Sequence, residues 1–181
     1  RDPKKCLNTN SVPISADGII PEASMSSTAY ILPNVKLSAL KDKSWEITER
    51  ILTPFVYSSV GGFVAPSVNE YNSRGGLRSN HSDNGTISLA INGRFGDSTE
   101  STGENTSSSY VNIGKDFTFL DVKLKFDITT GTYTIYIKKD GLGKWQLVNT
   151  YIPTTTNKQF YDINQTPNDY LRVAYSRTSD D

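Results

Sequence analysis

The sequence predicts an all-β domain built as a two-sheet antiparallel β-sandwich, and three observations lead to that prediction. Ser, Thr, Asn, Gly and Tyr are abundant, whereas Leu, Ala and Glu, which favour helices, are scarce. Several short segments alternate strictly between apolar and polar residues. Gly, Asn, Asp and Pro separate those segments, as turns between short strands require. Because each alternating strand has one apolar face, two sheets are expected to pack those faces together.

The length of the chain favours a single core. A chain of 181 residues is long enough for one sizeable domain and too short for two ordinary ones. Residues 1–28 are polar, contain three prolines and show no sustained period, which predicts an N-terminal arm or leader. Residues 29–181 form the predicted sandwich domain. Cys6 is the only cysteine, so no disulfide can form within the chain.

The charge balance excludes two classes of partner. Nineteen basic and nineteen acidic residues give a net charge of zero, so no global field attracts the chain to nucleic acid or anionic lipid. No apolar run has the length of a transmembrane helix. We therefore expect no nucleic-acid partner and no membrane span. The composition, rich in Ser, Thr, Asn, Gly and Tyr, favours an extracellular, cell-surface or virion location.

Three strands are predicted in the first half of the sandwich region. Residues 28–37 surround a proline and predict an edge strand followed by a turn. Residues 44–51 (SWEITERI) and 86–92 (TISLAIN) alternate cleanly and predict half-buried strands. Between them, short β-segments around Phe63 and Leu77 can pair with one another.

The clearest alternation lies in residues 121–151. The segments DVKLKFD and TYTIYIKK flank a Thr-Gly turn and predict a β-hairpin. WQLVNTY follows a second turn and adds a third strand, with Trp145, Leu147 and Tyr151 in phase. YLRVAY, residues 170–175, predicts a final strand. No segment predicts an amphipathic helix.

The order of these segments resembles that of the laminin G-like and concanavalin A-like lectin domains. The resemblance rests on AYILPNVKLSALKDKSWEITERILTP for the opening strands, KLKFDITTGTYTIYIKKDGLGKW for the central hairpin and LRVAYSRTSD for the closing strand. It covers residues 29–178. It implies a concanavalin A-like jelly roll with a carbohydrate or protein ligand, sometimes together with calcium.

The carboxylates do not predict an enzyme. One branch of this fold hydrolyses polysaccharides with an E-x-D-x-x-E strand, and none of the six Glu residues of the chain has that spacing. Glu46 and Glu49 are three residues apart and are expected on opposite faces of one strand. A glycosidase needs two carboxyl groups facing each other at about 5–9 Å. His81, the only histidine, lies in the polar segment NHSDNG and is expected to be a solvated loop residue.

Calcium is the one cofactor for which the sequence offers candidate ligands. Asp83, Asn84 and Asp97 lie in two polar loops and offer the oxygen ligands that Ca²⁺ prefers. The same loops also contain Glu100, Glu104 and Asn105. No EF-hand spacing is present, so ordinary polar loops are the competing interpretation.

Carbohydrate binding requires aromatic rings for the C–H faces of sugars and polar side chains for the hydroxyls. Tyr136 is opposite in parity to its aliphatic neighbours and is expected on the solvent face of the hairpin, beside Lys125. Two further tyrosines lie in loops, and two arginines lie near Gly-rich turns where they can contact a carboxylate. The predicted ligand-binding residues are Tyr71, Arg78, Arg94, Tyr110, Lys125 and Tyr136.

Two classes of function remain open, with a third disfavoured. The first is a non-catalytic, lectin-like module that recognises a glycan or glycoconjugate, as in the receptor-binding part of a phage tail or baseplate protein or of a bacterial surface adhesin. The second is a protein-binding or oligomer-building module, in which residues 1–28 become ordered against a neighbouring copy. The third, a polysaccharide-degrading enzyme, lacks its carboxylate motif.

Overall fold

A computed structural model describes residues 6–8, 14–15, 18–19, 29–33, 35–52, 60–65, 75–81, 86–97, 105–168 and 171–177. Strands dominate this part of the chain. They are β1 (Cys6–Asn8), β2 (Ile14–Ser15), β3 (Gly18–Ile19), β4 (Ala29–Pro33), β5 (Trp45–Leu52), β6 (Val60–Ala65), β7 (Gly75–His81), β8 (Ile87–Arg94), β9 (Asn105–Ser107), β10 (Val111–Gly114), β11 (Phe119–Asp127), β12 (Thr132–Lys139), β13 (Gln146–Tyr151) and β14 (Arg172–Arg177).

Helical structure is limited to two short elements in the described residues. A 3₁₀ turn spans Leu37–Ala39, and α1 spans Tyr161–Gln165. Neither these nor any other described segment forms a helix with the length and hydropathy that crossing a bilayer requires.

The strands form two principal antiparallel sheets. Sheet I has eight strands in the order β1-β4-β14-β6-β7-β8-β10, with β9 also pairing with β8. Sheet II has four strands in the order β13-β12-β11-β5. The hairpin β2–β3 pairs with neither sheet in the described residues. This architecture confirms the predicted all-β, two-sheet antiparallel sandwich.

Alternation along the strands defines the interior. In β11 and β12 every second side chain is buried, and β8 presents buried residues to the same core. The buried side chains of β11 and β12 are Leu120, Val122, Leu124, Phe126, Tyr133, Ile135 and Ile137. They join Leu77, Ile87, Leu89 and Ile91 of sheet I in a single hydrophobic cluster. The opposite faces of the strands are therefore left for solvent or a ligand.

An aromatic cluster lies at one end of this core. The Tyr133 ring is 4.5 Å from Phe126 and 4.7 Å from Phe160, measured between ring centroids. Phe160 stacks on Phe95 at 5.0 Å, and these two residues also form an isolated β-bridge. Trp45 packs against Phe126 at 5.8 Å. Such ring pairs contribute about 0.5–1.5 kcal/mol each beyond their buried area. The cluster links sheet II to the end of β8 in sheet I.

Most strand predictions are confirmed. The predicted strands at residues 44–51 and 86–92 correspond to β5 and β8, each of which begins one residue later, and the predicted hairpin of residues 121–139 is β11–β12. The two short segments predicted between β5 and β8 also pair with each other, since Val64 in β6 lies opposite Leu77 in β7.

Three details differ from the predictions. β4 is not an edge strand, because β1 pairs with it on the side opposite β14. β1 comes from residues 1–28, so that segment supplies an outer strand of sheet I; the division into an arm and a domain stays a prediction. His81 ends β7 opposite Ile87 rather than lying in a loop. Asn105, which the sequence places in a polar loop, begins β9.

Burial of Tyr133 makes stability depend on alkaline pH. Burial raises the pKa of the Tyr133 hydroxyl well above its ordinary value of 10.0, and the hydroxyl donates a 2.9 Å hydrogen bond to the carbonyl of Lys158. In the unfolded chain the hydroxyl ionises at its ordinary pKa. The stability contributed by the neutral hydroxyl is therefore complete below about pH 10 and is lost as the pH rises further.

We expect Tyr133→Phe to lower the free energy of unfolding at neutral pH by about 1 kcal/mol, because the Lys158 carbonyl loses its donor. Above about pH 10 the difference from the parent chain should shrink, since the variant has no hydroxyl at this position to ionise. Urea unfolding at both pH values measures this, with Tyr136→Phe as the control on the solvent face. A difference independent of pH would contradict the account.

Candidate functional site

The outer face of sheet II, which points away from the core, carries three rows of polar and aromatic side chains. Cross-strand register defines each row from β5 through β11 and β12 to β13. The first row is Glu46, Lys125, Thr134 and Thr150; the second is Thr48, Lys123, Tyr136 and Leu147; the third is Arg50, Asp121 and Lys138. The predicted solvent-face residues Lys125 and Tyr136 thus lie in adjacent rows.

A β-bulge in β13 decides which side chains complete this face. Asn149 lies opposite Ile135, whereas Leu147 lies opposite Tyr136, so Val148 is an extra residue in β13. One extra residue reverses the alternation beyond it. Val148 packs against the core, and Leu147 is 56% exposed.

Trp145 and Leu147 are therefore not in phase with Tyr151, contrary to the sequence pattern. Tyr151 pairs with the inward-facing Tyr133, and its ring contacts Phe95 at 5.5 Å. Leu147 faces outward beside Tyr136. The difference arises because a bulge adds a residue to the strand without leaving a mark in the apolar pattern.

Trp145, immediately before β13, lies against the outer face of sheet II. The ammonium nitrogens of Lys123 and Lys138 are 4.6 Å and 5.2 Å from its ring centroid, within the range of cation–π attraction. Both lysines project outward from the sheet, so the ring lies on the outer side of sheet II. The Trp145 side chain is partly exposed.

We call Trp145, Tyr136, Leu147, Lys123 and Lys138 the Trp145 platform. Lys123, Tyr136 and Lys138 belong to the regular strands β11 and β12, which hold side chains with little freedom, and Trp145 and Leu147 belong to the bulged end of the sheet. The platform combines two rings and one aliphatic side chain with two cations.

A polar link between the sheets holds the bulged strand in place. The Asn149 amide donates to the Ser108 hydroxyl at 2.9 Å and to the Ser109 carbonyl at 3.0 Å. The Ser108 hydroxyl also accepts a 2.9 Å hydrogen bond from the backbone N–H of Ile91 in β8. Asn149 thus ties β13 to sheet I at the residue that directly follows the extra residue Val148.

Ion pairs order the β5 side of the outer face. Arg50 donates to both carboxylate oxygens of Asp121, at 2.7 Å and 3.0 Å, and its guanidinium lies 4.0 Å above the Phe119 ring. The hydrogen bond with Asp121 raises the pKa of Arg50. Lys123 lies 3.5 Å from a Glu46 carboxylate oxygen. Such exposed pairs add little stability, but they fix where the charges lie.

The remaining predicted ligand residues lie elsewhere. Tyr110, 39% exposed, directly precedes β10 and follows Ser109, which is hydrogen bonded to Asn149. Arg94 is at the end of β8 in sheet I, with its guanidinium 4.1 Å above the Tyr161 ring. Arg78 is in β7, opposite Ala90 in β8, and the structure does not describe its side chain. Tyr71 also lies outside them.

Several solved structures, lectins among them, are similar to this chain in architecture. The basic winged bean lectin with Tn-antigen is 14% identical, with a TM-score of 0.55 over 99% of this chain and 84% of that one. The legume lectin-like domain from Entamoeba histolytica is 8% identical, with a TM-score of 0.56 over 97% and 82%. The metal-free VIP36 exoplasmic/lumenal domain is 11% identical, with a TM-score of 0.56 over 97% and 78%.

The chain has the concanavalin A-like lectin fold. No protein-family model matches the sequence, and no curated protein matches it. At identities of 8–14% the structural likeness shows the fold alone. The resemblance to concanavalin A-like lectins is confirmed as a resemblance of fold, including the two-sheet jelly roll.

Of the three residues predicted to bind calcium, the structure describes Asp97. Its carboxylate accepts a 2.9 Å hydrogen bond from the Asn157 side-chain amide. Asn157 in turn accepts from the backbone N–H of the buried Gln159, whose amide bonds Asp42, so the network is satisfied internally. In the described ranges no three His, Cys, Asp or Glu side chains come together. Asp83 and Asn84 lie outside them, and calcium stays a prediction.

The two carboxylates of β5 lie on opposite faces, as predicted. Glu46 lies opposite Lys125 in the strand register, on the outer face. Glu49 lies opposite Val122, on the inner face. The sheet therefore separates them, and they cannot face each other across one glycosidic bond.

Only one of the two tryptophans lies in the core, and this is open to a spectroscopic test. Trp45 is 9% exposed among core aromatics, whereas Trp145 lies on the solvent side. We expect acrylamide to quench the fluorescence of Trp45→Phe, which keeps Trp145, steeply, and that of Trp145→Phe weakly. Circular dichroism checks that both variants fold. Equal quenching of the two variants would contradict the position of Trp145 on the solvent side.

Proposed function

We propose that the chain is a non-catalytic, lectin-like carbohydrate-binding module whose ligand binds on the Trp145 platform. The observation that carries the proposal is the Trp145 ring, held by Lys123 and Lys138 against the outer face of sheet II. An aromatic ring fixed in this way offers a flat apolar surface to the C–H face of a pyranose.

The surroundings of the platform suit the amphipathic character of a sugar. Tyr136 and Leu147 extend the apolar surface beside Trp145. Hydroxyl-bearing Thr48, Thr134 and Thr150 lie in the same or the adjacent row. A sugar presents C–H groups and hydroxyls side by side, and binding sites meet it with apolar surface and a few polar groups.

The fold supports the same class of ligand by analogy. The structure of the basic winged bean lectin contains Tn-antigen, and the likeness to it is one of fold. The proposal includes the setting of the module: an extracellular, cell-surface or virion protein that recognises a host, such as the receptor-binding part of a phage tail or baseplate protein or of a bacterial adhesin.

We expect Trp145→Ala to lower glycan affinity about tenfold or more, because a central aromatic anchor is lost. Tyr136→Ala should have a smaller effect in the same direction. A glycan array identifies the best-bound glycan, and calorimetric titration with that glycan compares the variants. Leu142→Ala, at a side chain that is 75% exposed in the turn after β12, is the matched control and should bind as the parent does.

The proposal fails if no glycan on the array binds, or if the bound glycan is indifferent to both Trp145→Ala and Tyr136→Ala. Tyr110→Ala tests how far the site extends. A loss comparable to that of Trp145→Ala would bring the segment between β9 and β10 into the site.

A protein-binding or oligomer-building role is the second candidate. The observation that favours it is the β2–β3 hairpin, which pairs with neither sheet in the described residues and can supply a contact to another chain. Light scattering on the intact chain, and on a variant with residues 14–19 replaced by Gly and Ser, tests it. An oligomer lost in the variant, without glycan binding by either protein, would favour this candidate.

A further inference from the structure

We infer that the ligand of the outer face is an anionic oligosaccharide, carrying carboxylate or sulfate groups; this inference rests on the proposed function. The chain as a whole has a net charge of zero. Its charges are nevertheless distributed unevenly, and the outer face of sheet II receives more cations than anions.

The three rows of the outer face contain four cations and two carboxylates. Arg50 and Asp121 neutralise each other through two hydrogen bonds. Lys123 lies near the other carboxylate, that of Glu46. Lys125 and Lys138 form no hydrogen bond or ion pair with any described residue. Two positive charges on the face are therefore left without an equal number of negative charges.

The residues that border the rows carry both signs of charge. Asp127 lies one step beyond the first row, and its carboxylate accepts a 2.9 Å hydrogen bond from the backbone N–H of Thr129 in the turn. Asp140 lies beyond the third row, and its carboxylate accepts hydrogen bonds from the backbone N–H groups of Thr118 and Phe119. Lys144, which is exposed, directly precedes Trp145 and adds a cation. With these residues included, the outer face keeps one cation more than it has carboxylates.

Two ammonium groups also share one aromatic ring. The ammonium nitrogens of Lys123 and Lys138 lie 4.6 Å and 5.2 Å from the Trp145 centroid, so a ligand on this ring has two cations within reach. Like charges repel each other, and an anion close to both lowers that repulsion. A neutral hydroxyl accepts a hydrogen bond from an ammonium group but does not offset its charge. We therefore expect the site to bind an anionic sugar with higher affinity than a neutral sugar of the same shape.

The spacing of the cations indicates an oligosaccharide. Lys125 and Lys138 lie in the first and third rows, with Tyr136 in the row between them. Successive rows are two residues apart along a strand, so the first and third rows are separated by about 13 Å. A single sugar ring does not reach both lysines while covering the Trp145 ring. A chain of sugars with more than one acidic group does.

The test compares charged and neutral forms of the same sugars. The probes are an oligogalacturonate and its methyl ester, and a heparin oligosaccharide and its desulfated, N-acetylated and carboxyl-reduced form, titrated calorimetrically at low and high salt. We expect each acidic form to bind about tenfold more tightly than its neutral form at low salt, and the difference to shrink at high salt.

The double variant Lys125→Gln/Lys138→Gln should bind the acidic probes about tenfold more weakly and the neutral probes unchanged. The control is Lys36→Gln, which removes the charge of an exposed lysine before the 3₁₀ turn, outside the three rows. Lys144 is not used as a control, because it borders the outer face. Polyglutamate, a polyanion without sugar rings, should bind weakly and without dependence on Trp145.

The outcomes separate the inference from the proposed function. Neutral glycans that bind as tightly as acidic ones, with Trp145→Ala disruptive and the double lysine variant silent, would overturn the inference and leave the proposed function standing. Polyglutamate that binds as tightly as the acidic glycans would also overturn it, since charge alone would explain the binding. No glycan binding at all would remove both.

Discussion

The phase of the strands in sheet II is the constraint on which the rest of the structure depends. Phe126 and Tyr133 must enter the aromatic cluster that joins Phe160 and Phe95, and Leu124 and Ile135 follow them into the core. Once these side chains point inward, the intervening residues of β11 and β12 must point outward, because successive side chains of a strand alternate. The lysines and Tyr136 of the outer face owe their position to the packing of the opposite face.

The bulge in β13 modifies that rule at one place, and the candidate site is a consequence. Asn149 is held inward by its hydrogen bonds to the segment before β10, while Val148 packs against the core. Two consecutive residues thus serve the interior, and Leu147 and Trp145 are displaced to the outer side. Bulges commonly redirect side chains near functional sites.

The fold could be predicted from sequence to a large extent, and the site only in part. Alternation in β5, β8, β11 and β12 is strict, so the strands, the hairpin and the outward direction of Tyr136 follow from residue pattern. The prediction that Trp145 is in phase with Tyr151 was wrong, because the position of Trp145 depends on the bulge and on two lysines from other strands. The partner of β4 is equally non-local, since β1 is a three-residue strand without a clear period.

The central claim is that a glycan binds against Trp145 on the outer face of sheet II. Nuclear magnetic resonance tests it most directly, because each of the two indole N–H groups gives its own signal. Titration of the best-bound glycan should shift the Trp145 indole signal and the amides of β11, β12 and β13, and should leave the Trp45 indole signal, in the core, nearly unchanged. Shifts confined to sheet I, around Arg94 or Arg78, with Trp145 unaffected, would contradict the account.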